Sequence, residues 1–124
     1  MNNKIFFHHI AINTNIIRKT ENFYKKYFGF KRVKELKMEN SNRLIHLKQR
    51  GFNFTLELIE IKNSNIDENK TFHMGFLVKD FYYFLSMIKN SKIKIVKGPY
   101  KVGEENIILI SDPNGNIIEV NDNL

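Results

Sequence analysis

The two halves of the chain repeat one pattern of residues. His9 and His73 each lie inside an apolar run and are 64 residues apart. Glu57 and Glu119 each lie in the last apolar run of their half and are 62 residues apart. A period of about half the chain exceeds the roughly 20 to 50 residues of solenoid repeats. It indicates an internal duplication, so we expect two modules of the same fold.

The first half is expected to contain a strand, a helix and three further strands. An apolar, β-branched run at 5–13 predicts the first strand, and apolar residues at helical spacing follow as far as Gly29. Glycine is common just past the end of a helix. Polar turns separate three more strand-like segments, at 30–37, 43–49 and 53–62. The predicted order is βαβββ.

The second half has the same order. A predicted strand at 72–79 leads to Asp80, a residue type favoured at helix N-caps, and then to a helix with apolar residues on one face. Further strands are expected near 93–97, 105–111 and 116–121. The turn sequence Asp112-Pro113-Asn114-Gly115 joins the last two. This half is therefore also predicted to be βαβββ.

Composition narrows the class of protein. Hydrophobic residues make up 42% of the chain and cysteine is absent. We expect one α+β domain over 1–124, with modules at about 5–62 and 72–121, and neither disulfides nor thiolate chemistry. No apolar run approaches the roughly 18 residues of a membrane span, and the first residues lack the apolar stretch of a signal peptide. The sequence therefore predicts a cytoplasmic protein without membrane segments.

The basic charge does not indicate a nucleic-acid partner. Lys and Arg number 20 against 13 acidic residues, which gives a formal net charge of +7. Nucleic-acid sites cluster Lys with Arg, and only four of the basic residues are Arg. The lysines are spread along the chain, so Lys25-Lys26, Lys31-Arg32 and the lysines between 92 and 97 are expected to form solvated faces.

Strand alternation predicts that four polar side chains lie on the sheet faces opposite the apolar core. His9, Glu57, His73 and Glu119 alternate with apolar residues that are expected to pack under the helices. The four polar side chains then point the other way, toward a cavity wall. Imidazole and carboxylate are ligands of divalent metals such as Zn, Ni, Fe and Co. A single His or Glu in a strand is more often structural, but four at equivalent places favour a metal site.

Two other histidines have no such equivalents. His8 and His46 are not matched by a histidine in the second half. We expect them to be surface or hydrogen-bonded residues. His46 would reach a substrate if its strand faces the cavity.

Short motifs along nearly the whole chain resemble one known family, the vicinal oxygen chelate superfamily, which has the glyoxalase and bleomycin-resistance fold. The motifs are His9-Ile10-Ala11-Ile12, Phe28-Gly29-Phe30, Leu56-Glu57-Leu58, Phe72-His73-Met74-Gly75-Phe76 and the segment from Asp112 to Glu119. The resemblance implies paired βαβββ modules that form a curved mixed sheet around a metal-binding cavity, usually in a homodimer. It also implies that His9, Glu57, His73 and Glu119 are the metal ligands.

The His/Glu/His/Glu set is similar to that of bacterial glyoxalase I. This similarity implies a metal-dependent lyase or isomerase, lactoylglutathione lyase-like, acting on a small α-oxygenated substrate. The metal ion, Ni, Zn, Co, Fe or Mn, would act as a Lewis acid that stabilises an enediolate. Glu119 is the candidate base for the proton transfer, with Glu57 second.

The resemblance is incomplete where glyoxalase I contacts glutathione. Asn13 and Ile61 stand where that family typically has Arg and Asn, which argues against a glutathione substrate. A methylmalonyl-CoA epimerase-like enzyme, a fosfomycin-resistance-like enzyme and a non-catalytic drug-binding protein remain alternatives. The substrate, the native metal and a metal site shared between subunits stay open at this point.

Overall fold

The computed structural model of the chain describes residues 7–62 and 72–122. It contains two compact units, Met1–Ile66 and Asp67–Leu124, which we call module 1 and module 2. Within the described residues, each module has one helix and a four-stranded mixed sheet, in the order βαβββ. The predicted α+β class and the duplicated module are therefore confirmed, whereas a single domain over 1–124 stays a prediction. No helix in the described ranges is long and apolar enough to cross a membrane.

Module 1 agrees closely with the predicted elements. They are β1 (His9–Thr14), α1 (Ile17–Phe28), β2 (Phe30–Lys37), β3 (Arg43–Gln49) and β4 (Thr55–Glu60). The sheet order is β1-β4-β3-β2, in which β1 and β4 are parallel and the other pairs antiparallel. Strand β4 is two residues shorter at each end than predicted. Residues 5 and 6 of the first predicted strand lie outside the described residues.

The core of module 1 lies between α1 and one face of its sheet. The helix contacts β2 and β4, and the buried apolar residues are Ile12, Ile17, Phe23, Tyr24, Phe28, Phe30, Ile45, Leu47, Leu56 and Leu58. Gly29 ends α1 as predicted. Its φ of 68° is left-handed and its N–H donates to the carbonyl of Tyr24.

An ion pair joins α1 to β2. Its cation is Arg32, which was expected to lie on a solvated face. Arg32 Nε and Nη2 each lie 2.5 Å from a carboxylate oxygen of Glu21, whose side chain is only 4% exposed. These hydrogen bonds from Arg32 hold the pKa of the Glu21 carboxyl below its usual range, and Glu21 in turn raises the pKa of Arg32. Arg32 thus neutralises a buried charge, while Lys25, Lys26 and Lys31 are exposed as expected.

Module 2 repeats this sheet. Its elements are β5 (His73–Leu77), α2 (Phe81–Lys89), β6 (Ile95–Val102), β7 (Glu105–Ser111) and β8 (Ile117–Asn121). The sheet order is β5-β8-β7-β6, with β5 parallel to β8. Asp80 caps α2 by accepting the N–H of Tyr83, and Asp112 accepts two N–H groups in the predicted turn. The equivalent orders of the two sheets reflect the duplication.

Strand β6 differs from the sequence expectation. A strand was expected near 93–97, but it runs from Ile95 to Val102, through Gly98-Pro99. Its register with β7 shifts on either side of Lys97. Gly98 permits this irregular course because its φ is 96°, and a Cβ there would lie 3.0 Å from the Ile107 carbonyl oxygen.

Candidate metal-binding residues

The predicted alternation of buried and accessible residues is present beside both glutamates. Leu56 and Leu58 flank Glu57 and are buried in module 1. Ile118 and Val120 flank Glu119 in the same way in module 2. The Glu57 and Glu119 side chains are 15% and 26% exposed. Each module therefore presents its glutamate on the sheet face opposite its apolar core.

Module 2 brings its predicted histidine and glutamate close together. Gly75 is the register partner of Glu119, so His73 is a diagonal neighbour across the parallel pair β5 and β8. His73 Nε2 lies 4.0 Å from Glu119 Oε1. This separation is too long for a hydrogen bond. The other oxygen, Oε2, accepts the Asn121 side-chain N–H at 3.1 Å.

Module 1 does not pair its predicted residues in the same way. The register is equivalent, since Ala11 is opposite Glu57 and His9 is opposite Thr55. However, His9 Nδ1 lies 2.9 Å from His8 Nδ1. Glu57 Oε2 instead contacts His46 Nε2 at 2.7 Å. The His9–Glu57 relation is therefore one of register, without the close side-chain approach seen for His73 and Glu119.

The sequence did not predict which residue His46 contacts. A hydrogen-bonded histidine was one of the two expectations for this position, and the hydrogen bond is present. Its acceptor is one of the four predicted site residues. The signal is the register between β3 and β4, which makes His46 the partner of Glu57. Sequence alternation shows which face a residue occupies but not which residue lies beside it on the next strand.

A lysine lies beyond the neighbour of each glutamate. The register of module 1 runs from Glu57 to His46 and then to Lys34 on the edge strand. In module 2 it runs from Glu119 through Leu109 to Lys97, whose Nζ lies 4.9 Å from the centre of the Tyr100 ring. Both lysines are exposed. In each sheet, a glutamate and a lysine therefore lie two strands apart in the same row across the strands.

The donor types fit a divalent metal ion, since each module offers imidazole and carboxylate groups on one sheet face. Within residues 7–62 and 72–122, however, the structure has no group of three or more His, Asp or Glu side chains placed to hold a metal ion. The His73–Glu119 pair supplies two donors. A metal-binding cavity therefore stays a prediction.

Comparison with protein families shows which superfamily this chain belongs to. The family model for the glyoxalase/bleomycin resistance protein/dioxygenase superfamily matches residues 6–120. The chain belongs to this superfamily. The match spans both modules, so the resemblance drawn from the sequence motifs is confirmed. A search of curated proteins found no match.

Several solved structures have the same fold as this chain at low sequence identity. An antibiotic binding protein from Streptomyces sp. CB03234, TnmS3, has a TM-score of 0.78 at 16% identity, with 98% of both chains covered. The fosfomycin resistance protein FosX from Listeria monocytogenes, complexed with Mn(II) and sulfate, has a TM-score of 0.76 at 12% identity, covering 99% of this chain and 95% of FosX.

A trypanothione-dependent glyoxalase I from Leishmania major has a TM-score of 0.77 at 18% identity, covering 96% of this chain and 87% of that enzyme. Proteins with this fold therefore include enzymes as well as a binding protein, and FosX was solved with a divalent metal ion. At these identities the likeness establishes the fold of this chain.

Proposed function

We propose that this chain is a metal-dependent lyase or isomerase that transfers a proton within a small α-oxygenated substrate. His9, Glu57, His73 and Glu119 are the proposed metal ligands. The observation that carries the proposal is the His73–Glu119 pair. Two partly exposed donors face each other at 4.0 Å without a hydrogen bond between them, so both keep lone pairs for a ligand.

A bound divalent ion would supply Lewis-acid polarisation of a substrate oxygen. The residues of this chain would handle the proton. Asn121 holds Oε2 of Glu119, and Oε1 would accept a proton from a carbon atom once it has loosened from the metal ion. The resulting neutral carboxyl then returns that proton to the adjacent carbon. Glu57 is the second candidate base, and its Oε2 is already hydrogen-bonded to His46.

Metal content and proton exchange test the proposal separately. His73→Ala is expected to lose most bound divalent ion, measured by elemental analysis, because one strong donor is missing. Glu119→Gln is expected to slow exchange of a substrate C–H proton by about 10²- to 10⁴-fold, because an amide does not accept the proton. Glu104→Gln, an exposed glutamate of the β6–β7 turn, is the control for both measurements.

Unchanged metal stoichiometry in His73→Ala would contradict the ligand assignment. Undiminished exchange in Glu119→Gln would contradict the assigned base. Circular dichroism of each variant establishes that the fold is retained.

Glutathione conjugates are not among the substrates that we propose. Asn13 is exposed on β1 and Ile61 follows β4, where a glyoxalase I would carry its glutathione-contacting Arg and Asn. We expect weak or absent turnover of the glutathione hemithioacetal, measured by formation of the thioester. An epimerase-like or fosfomycin-resistance-like substrate is the enzymatic alternative. Efficient turnover of the hemithioacetal would refute the exclusion.

Non-catalytic binding of a small molecule is the second candidate function. The observation in its favour is the fold shared with the antibiotic binding protein TnmS3, at a TM-score of 0.78. Calorimetric titration of the metal-free protein with antibiotics separates the candidates, because tight binding without any bound metal favours the binding protein.

Homodimer formation and a cytoplasmic location belong to the proposal as well, and sedimentation at micromolar concentration tests the dimer.

A further inference from the structure

The two modules place different residues beside their glutamates. In the antiparallel pair β3 and β4, His46 is the register partner of Glu57. In the equivalent pair β7 and β8, the partner of Glu119 is Leu109. The duplicated sheet thus has an imidazole at this position in module 1 and an aliphatic side chain in module 2.

The His46–Glu57 contact is a short hydrogen bond between two largely buried side chains. His46 Nε2 lies 2.7 Å from Glu57 Oε2, and the side chains are 20% and 15% exposed. A carboxylate that binds a metal ion is ionised and only accepts hydrogen bonds, so with Glu57 as a ligand this contact requires the His46 tautomer that donates from Nε2. Hydrogen bonds to charged acceptors are stronger than neutral ones, and partial burial reduces competition from water.

The backbones on both sides of this contact are fixed. The register of β3 with β4 is continuous from Leu44–Ile59 to Lys48–Thr55. Leu47 and Leu58, next to the two polar residues on the buried face, are fully buried. A donor on such a strand restricts the rotamers of the side chain that it binds.

The hydrogen bond leaves Glu57 able to bind a ligand. A carboxylate has two oxygens and about four acceptor positions, of which His46 uses one. In module 2, Glu119 is held by Asn121 from its own strand, at the longer distance of 3.1 Å. The two glutamates are therefore oriented by different groups, one of them an imidazole from a neighbouring strand.

From this geometry we propose that His46 is a positioning residue, which fixes the orientation of the Glu57 carboxylate and thereby strengthens metal binding. The inference rests on the proposed function, in which Glu57 is a metal ligand. His46 is not proposed to bind the metal. Its effect is transmitted through the hydrogen bond to Glu57.

Chelator competition tests the effect of His46 on metal affinity, with Zn(II) and Ni(II) each added alone to the metal-free protein. His46→Leu reproduces the residue type of module 2 and is expected to weaken metal affinity by about 10- to 100-fold. His46→Gln keeps an N–H donor and is expected to recover most of that loss. Leu109→Met changes the equivalent position of module 2 without removing a polar contact and is the matched control. Equal or tighter binding by His46→Leu, or no recovery in His46→Gln, overturns the inference.

A measurement without metal tests the orientation directly. NMR couplings of the Glu57 side-chain protons are expected to show one χ1 rotamer in the wild type and His46→Gln, and rotamer averaging in His46→Leu. Averaging in the wild type overturns the positioning role. Failure of the wild type to bind either ion refutes the proposed function instead, so the two failures are distinguishable. Circular dichroism and urea unfolding of each variant show whether the sheet is intact.

Discussion

Replacing Arg32 by methionine is expected to leave the carboxylate of Glu21 buried and unpaired. The Glu21 side chain is 4% exposed, and two Arg32 nitrogens bind it at 2.5 Å. Protonation limits the cost of the substitution. For a carboxyl with an ordinary pKa of 4.5, protonation at pH 7 costs about 3.4 kcal/mol, at about 1.4 kcal/mol per pH unit. We expect Arg32→Met to lower the free energy of unfolding by about 3 kcal/mol at pH 7.

Urea unfolding followed by circular dichroism at pH 7 and pH 5 measures this loss. In the wild type, Arg32 depresses the pKa of Glu21, so the stabilisation is present above the unfolded-state pKa and is lost as the pH falls through the folded-state pKa. In Arg32→Met, burial is expected to raise the pKa of Glu21 instead, because only the weaker charge interactions with Lys25 and Arg43 remain to oppose it. The variant should therefore recover up to about 2.7 kcal/mol between pH 7 and pH 5.

Two matched variants isolate the buried pair. Glu35 is the outer partner of Arg32, and its side chain is 34% exposed. Glu35→Ala should therefore lower the free energy of unfolding by no more than about 1 kcal/mol. The double variant Glu21→Met, Arg32→Met removes both charges and should regain most of the stability. Wild-type stability in Arg32→Met at pH 7, or an equal loss at both pH values, would refute the reasoning.

Two further substitutions test the local structure by urea unfolding. Asp80→Ala should lower the free energy of unfolding by about 1 kcal/mol, because the Tyr83 N–H loses its acceptor. Asp80→Asn keeps an acceptor and should cost less than half as much. Equal losses in the two variants would contradict the capping role. Gly98→Ala should cost about 2 kcal/mol because φ is 96° and the new Cβ would crowd Ile107. Gly75→Ala, whose Cβ would meet nothing within 4 Å, should change stability by less than about 1 kcal/mol, and a similar effect of both alanines would contradict the strain at Gly98.

The sequence predicted the fold well because local signals and the duplication agreed. Gly29 ends α1 and Asp80 begins α2 as expected, and β2, β3 and β7 have their predicted bounds. Alternation also placed the glutamates correctly on the face opposite the core. Each of these features depends on residues close together in the chain, which a single sequence reveals.

The missed features depend on pairing between distant segments. The Arg32–Glu21 ion pair joins a strand to a helix, and the His46–Glu57 hydrogen bond needs the register of two strands. Neither distance follows from residue spacing. For β6, the strand was expected near 93–97, while pairing with β7 continues it to Val102. Here tertiary pairing outweighs the local preference.

The parallel pairing of first and last strands also determines when each sheet becomes complete during folding. His9 pairs with Thr55 in module 1, and His73 pairs with Ile117 in module 2. The ribosome must therefore release almost a whole module before its first strand has a partner, and closing so long a loop costs chain entropy. Such distant contacts slow folding. During synthesis, the last strand of module 1 would emerge from the ribosome before the strands of module 2, so the two sheets would form in succession.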